Sequence, residues 1–534
     1  LSISPLRLAV LEASPSDIDF TKIKRGIEKE SLRISKSGTL AQTSHPTQLG
    51  SALTHKHITT DFSEALLEFI TSPTTDIHAT LSELDHIHRF TYANLDQELL
   101  WVNSMPCALP ADKDIPVARY GSAHIARMKT IYRLGLGHRY GRLMQTIAGI
   151  HFNFSLPDEF WSYLQNLEAD TNKARRDLKS FRTQGYLHLI RNFRRYFWLL
   201  LYLFGASPAV CPTFVKGRQH VLQPFGTGNK SLHGPLATSL RMGDLGYQST
   251  AQQSIAIDYN SLPNYLTALC GAITQPHKVY ADIGLQDASG NYQQLNTGIL
   301  QIENEFYSTV RPKRTSERGE TALNALFERG IEYVEVRCVD LNPFEPLGIS
   351  EEQMRFLDTF LLYCALADSP IADADENKRV RENQQRIVYS GRDPKLKLVN
   401  RDQERSFNQW AGHLLSELKP VAELLDRANN SDAYRLSLSR QQEKIADPNL
   451  TPSAQVLDTM SKEKLSFFEF GLYQAQQHND YFRDHPLDAN TQQGFVALAT
   501  ASLREQAAIE AKDNIDFETY LRNFYAQYQC CSGC

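Results

Sequence analysis

Five short stretches in the first 350 residues alternate apolar and polar side chains, and this alternation limits the fold more than any other feature of the chain. They cover residues 27–34, 66–71, 147–156, 299–307 and 331–339. A period of two places apolar groups on one face of a strand and polar groups on the other. Strands with a wet face belong to antiparallel sheets, because a doubly wound parallel sheet is covered on both sides and its strands read as unbroken apolar runs. Helical patterns over residues 81–102, 186–204 and 262–274 interrupt the strands irregularly, the last with a proline near its start. The expectation is an α+β fold, an antiparallel sheet with helices packed around it.

From about residue 351 the strand pattern vanishes, and residues 351–367, 404–429, 433–445 and 491–529 are rich in helix formers. The expected layout is a catalytic body over residues 1–370, a linker near 368–377 and an all-helical region over 371–534. The longest apolar run, FWLLLYLF at 197–204, is far short of the roughly 18–20 residues that cross a bilayer and reads as a buried helix. A formal charge of −5 leaves no basic footprint for nucleic acid. The opening residues lack the basic end and apolar core of a secretory signal, so a cytoplasmic protein is expected. Cys107, Cys211, Cys270, Cys338 and Cys364 stand singly and read as small buried hydrophobes. Cys530, Cys531 and Cys534 close the chain as CCSGC. A lone C-x-x-C there is a weak metal or redox signal, and the expectation is a disordered tail with exposed thiols.

The chemistry sits on the wet faces of the strands. In RGIEKESLR, Glu28 and Glu30 are two apart and point to one face, with α-carbons ~6.6 Å apart. Their charges repel by about 2.5 kcal/mol at an effective dielectric of about 20, so a cation beside them is expected unless they sit on a solvated face. Glu68 stands inside the apolar LLEFIT, where an unpaired carboxylate is costly to bury, and Asp61 lies in a turn just before. His151 and Asn153 share the polar face of IHFNFS. Glu335 and Arg337 share a face of YVEVRC, a carboxylate for a metal beside a guanidinium for a phosphoryl oxygen, or a plain surface ion pair. Oxygen-rich groups of this kind favour Mg²⁺ or Mn²⁺ over Zn²⁺. Arg241, and Arg311, Lys313 and Arg314 in RPKR, are candidates to meet phosphates or carboxylates, or form solvated basic turns. FGTGNKS at 225–231 lacks the glycine offsets of a P-loop.

At these segments the sequence resembles the proteobacterial type of glutamate–cysteine ligase, within the glutamine synthetase-like superfamily. The resemblance is carried in order by RGIEKESLRI, LGSALTHKHITTDFSEALLEFIT, YGRLMQTIAGIHFNFSLP, YLFGASPAV, ATSLRMGDLGY, LQIENEFYSTVRPKR and GIEYVEVRCVDLNPFEPLGI. The helical C-terminal part matches weakly, and CCSGC is not a mark of that family. The resemblance implies a curved antiparallel sheet forming a funnel. It implies one Mg²⁺ among Glu30, Asp61 and Glu68, a second among Glu28, His151 and Glu335, and a third between Glu28 and Glu335. Arg337 is implied as the residue that stabilises the transferring phosphoryl group, and Arg241 as the holder of the glutamate α-carboxylate. Tyr132, Gln145, Asn153, Tyr247 and Tyr307 are implied for the cysteine pocket. The expected reaction joins the γ-carboxylate of L-glutamate to the amine of L-cysteine with ATP, through γ-glutamyl phosphate. Glutathione is the expected feedback inhibitor, and the chain is expected to act as a monomer. The rival expectation is a related ligase that uses another amine.

Overall fold

The computed structural model describes residues 2–169, 177–226, 228–245, 250–255, 257–401 and 403–528. Its strands in chain order are β1 Lys24–Ser35, β2 Ile58–Thr60, β3 Leu66–Ile70, β4 Glu98–Leu100 and β5 Ile150–Ser155. There follow β6 Ala209–Val210, β7 Gln223–Phe225, β8 Ser231–His233, β9 Val310–Lys313 and β10 Tyr333–Val339. The last two are β11 Lys397–Asn400 and β12 Gln403–Ser406. The main sheet runs β2-β3-β1-β5-β10-β9, with β4 paired to the far end of β1, and every pair is antiparallel.

One face of this sheet is core. Ile27, Phe152, Phe154, Val334 and Val336 are buried there, and each is worth about 1.5–3 kcal/mol relative to exposure. The helices Leu178–Tyr196, Trp198–Phe204 and Glu351–Leu366 pack behind them. The apolar run at 197–204 is buried throughout, and among the described residues no helix is long and apolar enough to cross a membrane. Arg25, at the start of β1, meets Asp358 on the helix Glu351–Leu366 at 2.7 Å, and both side chains are buried. Tyr434, on the helix Ala433–Ala446, donates its hydroxyl to Asp358 at 3.3 Å. Sheet, central helix and C-terminal helices are thus joined through one buried polar contact.

Several expected elements shift. The stretch 299–307 is a turn with a 3-10 segment at Glu303–Glu305, and the strand lies further on at β9. The cause is Glu305, which is drawn inward to accept from Arg139 Nη1 at 3.0 Å, the Tyr140 hydroxyl at 2.6 Å and the Gln301 N–H at 2.6 Å. Pro312 sits in β9 because β9 is an edge strand, where a missing N–H breaks no ladder. The helix expected at 81–102 runs Ile77–Ala93, capped by Asp76, and gives way to β4. The helix expected at 186–204 is two, as is the one expected at 491–529, which divides into Ala489–Glu510 and Phe517–Ala526. The C-terminal region also holds the hairpin β11–β12, whose four-residue strands are too short to show alternation. Cys107 and Cys211 do not stand singly: they form a disulfide with α-carbons 5.4 Å apart. Cys270, Cys338 and Cys364 are buried. The CCSGC segment lies outside the described residues.

Candidate active site

The register of the main sheet aligns its polar residues into one row. Glu30 stands opposite Glu68 across β1–β3, and Glu28 opposite His151 across β1–β5. Asn153 faces Glu335 across β5–β10, and Glu335 faces Arg311 across β10–β9. Directly opposed residues share a face, so four strands project one acidic band. That band floors a cavity of about 480 Å³, lined by Glu28, Glu30, Asp61, Glu68, His151 and Glu335 together with Arg241, Arg311, Lys313 and Arg337.

Two electrostatic halves are evident. In the first, single ligand atoms of Glu28, Glu68 and His151 lie within 4.8 Å of one another. His151 Nδ1 is 3.1 Å from Glu28 and its Nε2 3.9 Å from Glu30. Asn153 donates to Glu28 at 2.9 Å, and the Gly149 N–H to Glu30 at 2.8 Å. Burial, then the charges of Glu28, Asp61 and Glu30, hold the Glu68 carboxyl well above the usual carboxylate range. Burial also raises Glu30, against the pull of His151. In the second half Glu335 is encircled by cations: Arg337 at 2.9 Å, Lys313 at 3.1 Å and Arg311 at 3.9 Å. Burial pushes its carboxyl up, but Lys313 and Arg337 outweigh that and hold it well below the usual range. Glu30 and Glu68 are thus raised by burial first and by neighbouring carboxylates after it, and the oxygen-rich set fits Mg²⁺ or Mn²⁺, which take oxygen ligands.

Tyr132, Gln145 and Tyr307 line the same cavity. Asn153 is absent from its lining and serves Glu28 instead. Arg314 is also absent: it follows the end of β9 and lies 3.6 Å from Glu332. Tyr247 lies outside the described residues. Sequence reading missed Lys129 and Arg133, which line the cavity from the helix His124–Tyr140. Their spacing of four, in step with Tyr132 and Leu136, was the available signal. Burial, then Arg133, lowers the Lys129 ammonium to about 8. It also missed Tyr520 and Phe524, which close the cavity from the helix Phe517–Ala526. Nothing local marks them as site residues.

A row of carboxylates and an imidazole on antiparallel strands, flanked by arginine and lysine, is the kind of arrangement that phosphoryl-transfer enzymes use. The model of the family described as glutamate-cysteine ligase matches residues 8–387. The chain is 52% identical to the glutamate–cysteine ligase of Saccharophagus degradans, over 96% of each chain. It is 52% identical to that of Alcanivorax borkumensis, over 94% of this chain and 95% of the other. Among solved structures, the Francisella tularensis glutamate–cysteine ligase in complex with AMP superposes with a TM-score of 0.89 at 36% identity, covering 96% of this chain and 99% of that one. A bifunctional glutathione synthetase from Pasteurella multocida superposes with a TM-score of 0.68 at 25% identity, covering 98% of this chain and 57% of that one. This chain belongs to the glutamate–cysteine ligase family.

Proposed function

We propose that the chain forms γ-glutamylcysteine from L-glutamate and L-cysteine with ATP, at the acidic band on β3, β1, β5 and β10. The observation that carries the reading is the register that sets Glu28, Glu68, His151 and Glu335 on one face beside Arg337 and Lys313. Glu30, Asp61 and Glu68 would hold one Mg²⁺, Glu28, His151 and Glu335 a second, with a third between Glu28 and Glu335. Bound there, the ions neutralise charge on the ATP phosphates and on the glutamate γ-carboxylate.

The chain's own groups do the rest by placement. Arg241 binds the α-carboxylate of glutamate and so aims the γ-carboxylate at the terminal phosphate. Arg337 stabilises the phosphoryl group as it passes between the two oxygens. Its Nε–H is buried and has no hydrogen-bond partner among the described residues, a donor suited to a substrate oxygen. Lys313 and Arg311 supply further positive charge at that end. Phosphorylation turns an unreactive carboxylate into an acyl phosphate, which the cysteine amine attacks with release of phosphate. Tyr132, Gln145 and Tyr307 form the wall that receives cysteine. Glutathione, which contains the γ-glutamylcysteinyl unit, competes for these same contacts.

The test is ADP release with ATP and Mg²⁺, adding glutamate, then cysteine or a panel of other amines. Release that requires glutamate and is fastest with cysteine is expected. Equal rates with unrelated amines would overturn the acceptor assignment, and release indifferent to glutamate would overturn the reaction.

A further inference from the structure

We propose that Asp340, acting with Gly149, is a positioning residue that fixes the guanidinium of Arg241 for the α-carboxylate of glutamate. The inference rests on the assignment of Arg241 made above. Asp340 follows directly on β10, is 1% exposed and does not line the cavity. Its Oδ2 accepts from the Ala206 N–H at 2.9 Å and from the Ser207 hydroxyl at 2.5 Å. Its Oδ1 accepts from the Ser239 hydroxyl at 2.9 Å and faces Arg241 Nη1 at 3.7 Å. The carboxylate is therefore immobile before it meets the arginine. On the other side, Arg241 Nη2 donates to the carbonyl of Arg337 at 3.0 Å.

Beneath the guanidinium lies Gly149. A β-carbon there would collide with Nη2 and Cζ of Arg241, so the planar group rests on a residue without a side chain. Carboxylate, carbonyl and glycine hold three sides of a long side chain that lines an open cavity. Without them, binding glutamate would also have to order its rotamers, which weakens affinity. The arrangement explains segments that the metal and phosphate contacts leave unused. Ser207 comes from YLFGASPAV, Ser239 from ATSLRM, Asp340 from VRCVDLN and Gly149 from IAGIHF, and Ser207 and Ser239 are joined by a parallel backbone bridge.

The experiment compares glutamate with 4-aminobutyrate, the same γ-acid without the α-carboxylate, in the full-length enzyme. Asp340→Asn leaves its hydroxyl partners in reach and removes the charge facing Arg241. The expected result is a fall of about 10- to 100-fold in kcat/KM for glutamate. Turnover of 4-aminobutyrate, or its inhibition constant against glutamate, should change less than about threefold, and KM for ATP should hold likewise. Ser239→Ala, which removes a hydrogen bond from the Asp340 oxygen that faces Arg241 and leaves the acidic band untouched, should shrink the discrimination in the same way, and it decides the matter if Asp340→Asn fails to fold. Loss that is equal for both acids, or absent for both, overturns the proposal. Arg241→Lys separates the two layers. If it alone abolishes discrimination, the positioning role fails while the arginine's assignment survives. If it leaves discrimination intact, the assignment itself fails.

Discussion

Glu68 and Glu335 carry the same functional group and are held in opposite states by their surroundings. Burial, then neighbouring carboxylates, raises Glu68, so its folded form favours the proton. The stability this lends is complete below the ordinary carboxylate range and is lost as pH rises through the raised value. Glu68→Gln should therefore match the parent in thermal unfolding without metal at pH 4.5 and exceed it increasingly as pH rises. A variant no more stable at pH 8.5 would mean that a cation already relieves the cluster. Arg337 presents a planar fork beside Glu335, which a point charge does not reproduce. Arg337→Lys should lower kcat by about 100-fold or more while leaving KM for glutamate within a few-fold. A raised KM with unchanged kcat would assign Arg337 to substrate binding. These residues could be picked out in the sequence because polar groups inside strand patterns are conspicuous, but their charge states could not. The low value of Glu335 depends on Lys313, which is 22 residues away in sequence and 3.1 Å away in space.

Elements announced themselves where local chemistry sets their ends. Ser261 and Ser350 cap the helices that follow them, each accepting from a backbone N–H three residues on. Prediction failed where a distant partner outweighed the local pattern, as at 299–307, whose alternation suits a strand but whose Glu305 is claimed by Arg139 and Tyr140. The last helix, Phe517–Ala526, reads as an ordinary amphipathic segment, yet it walls the active cavity. It is fastened there by the Tyr528 hydroxyl, which donates to Glu303 at 2.5 Å, and by Gln527, which bonds Gly319 and Thr321 at 2.9 Å. Tyr528→Phe should cost about 1–2 kcal/mol and make the helix more susceptible to limited proteolysis. Unchanged cleavage kinetics would show that apolar packing alone retains it.

At the scale of the whole molecule, the acidic face must be held open while the opposite face is packed. The buried Arg25–Asp358 pair joins the two sides, with Tyr434 bringing in the C-terminal helices. Asp358→Asn leaves Arg25 charged and without its counter-ion, and should destabilise the protein by about 3–5 kcal/mol in urea unfolding. A loss below about 1 kcal/mol would show that the arginine finds other partners. Antiparallel strands, the helical C-terminal region and the residue types on the wet faces are legible in short stretches of chain, because alternation and capping act over a few neighbouring residues. Tertiary structure alone decided which carboxylates stand opposite one another, the Cys107–Cys211 bond and the closure of the cavity by the last helix. Those contacts join residues up to several hundred positions apart, and strand register and core packing fix them only once the chain has closed on itself.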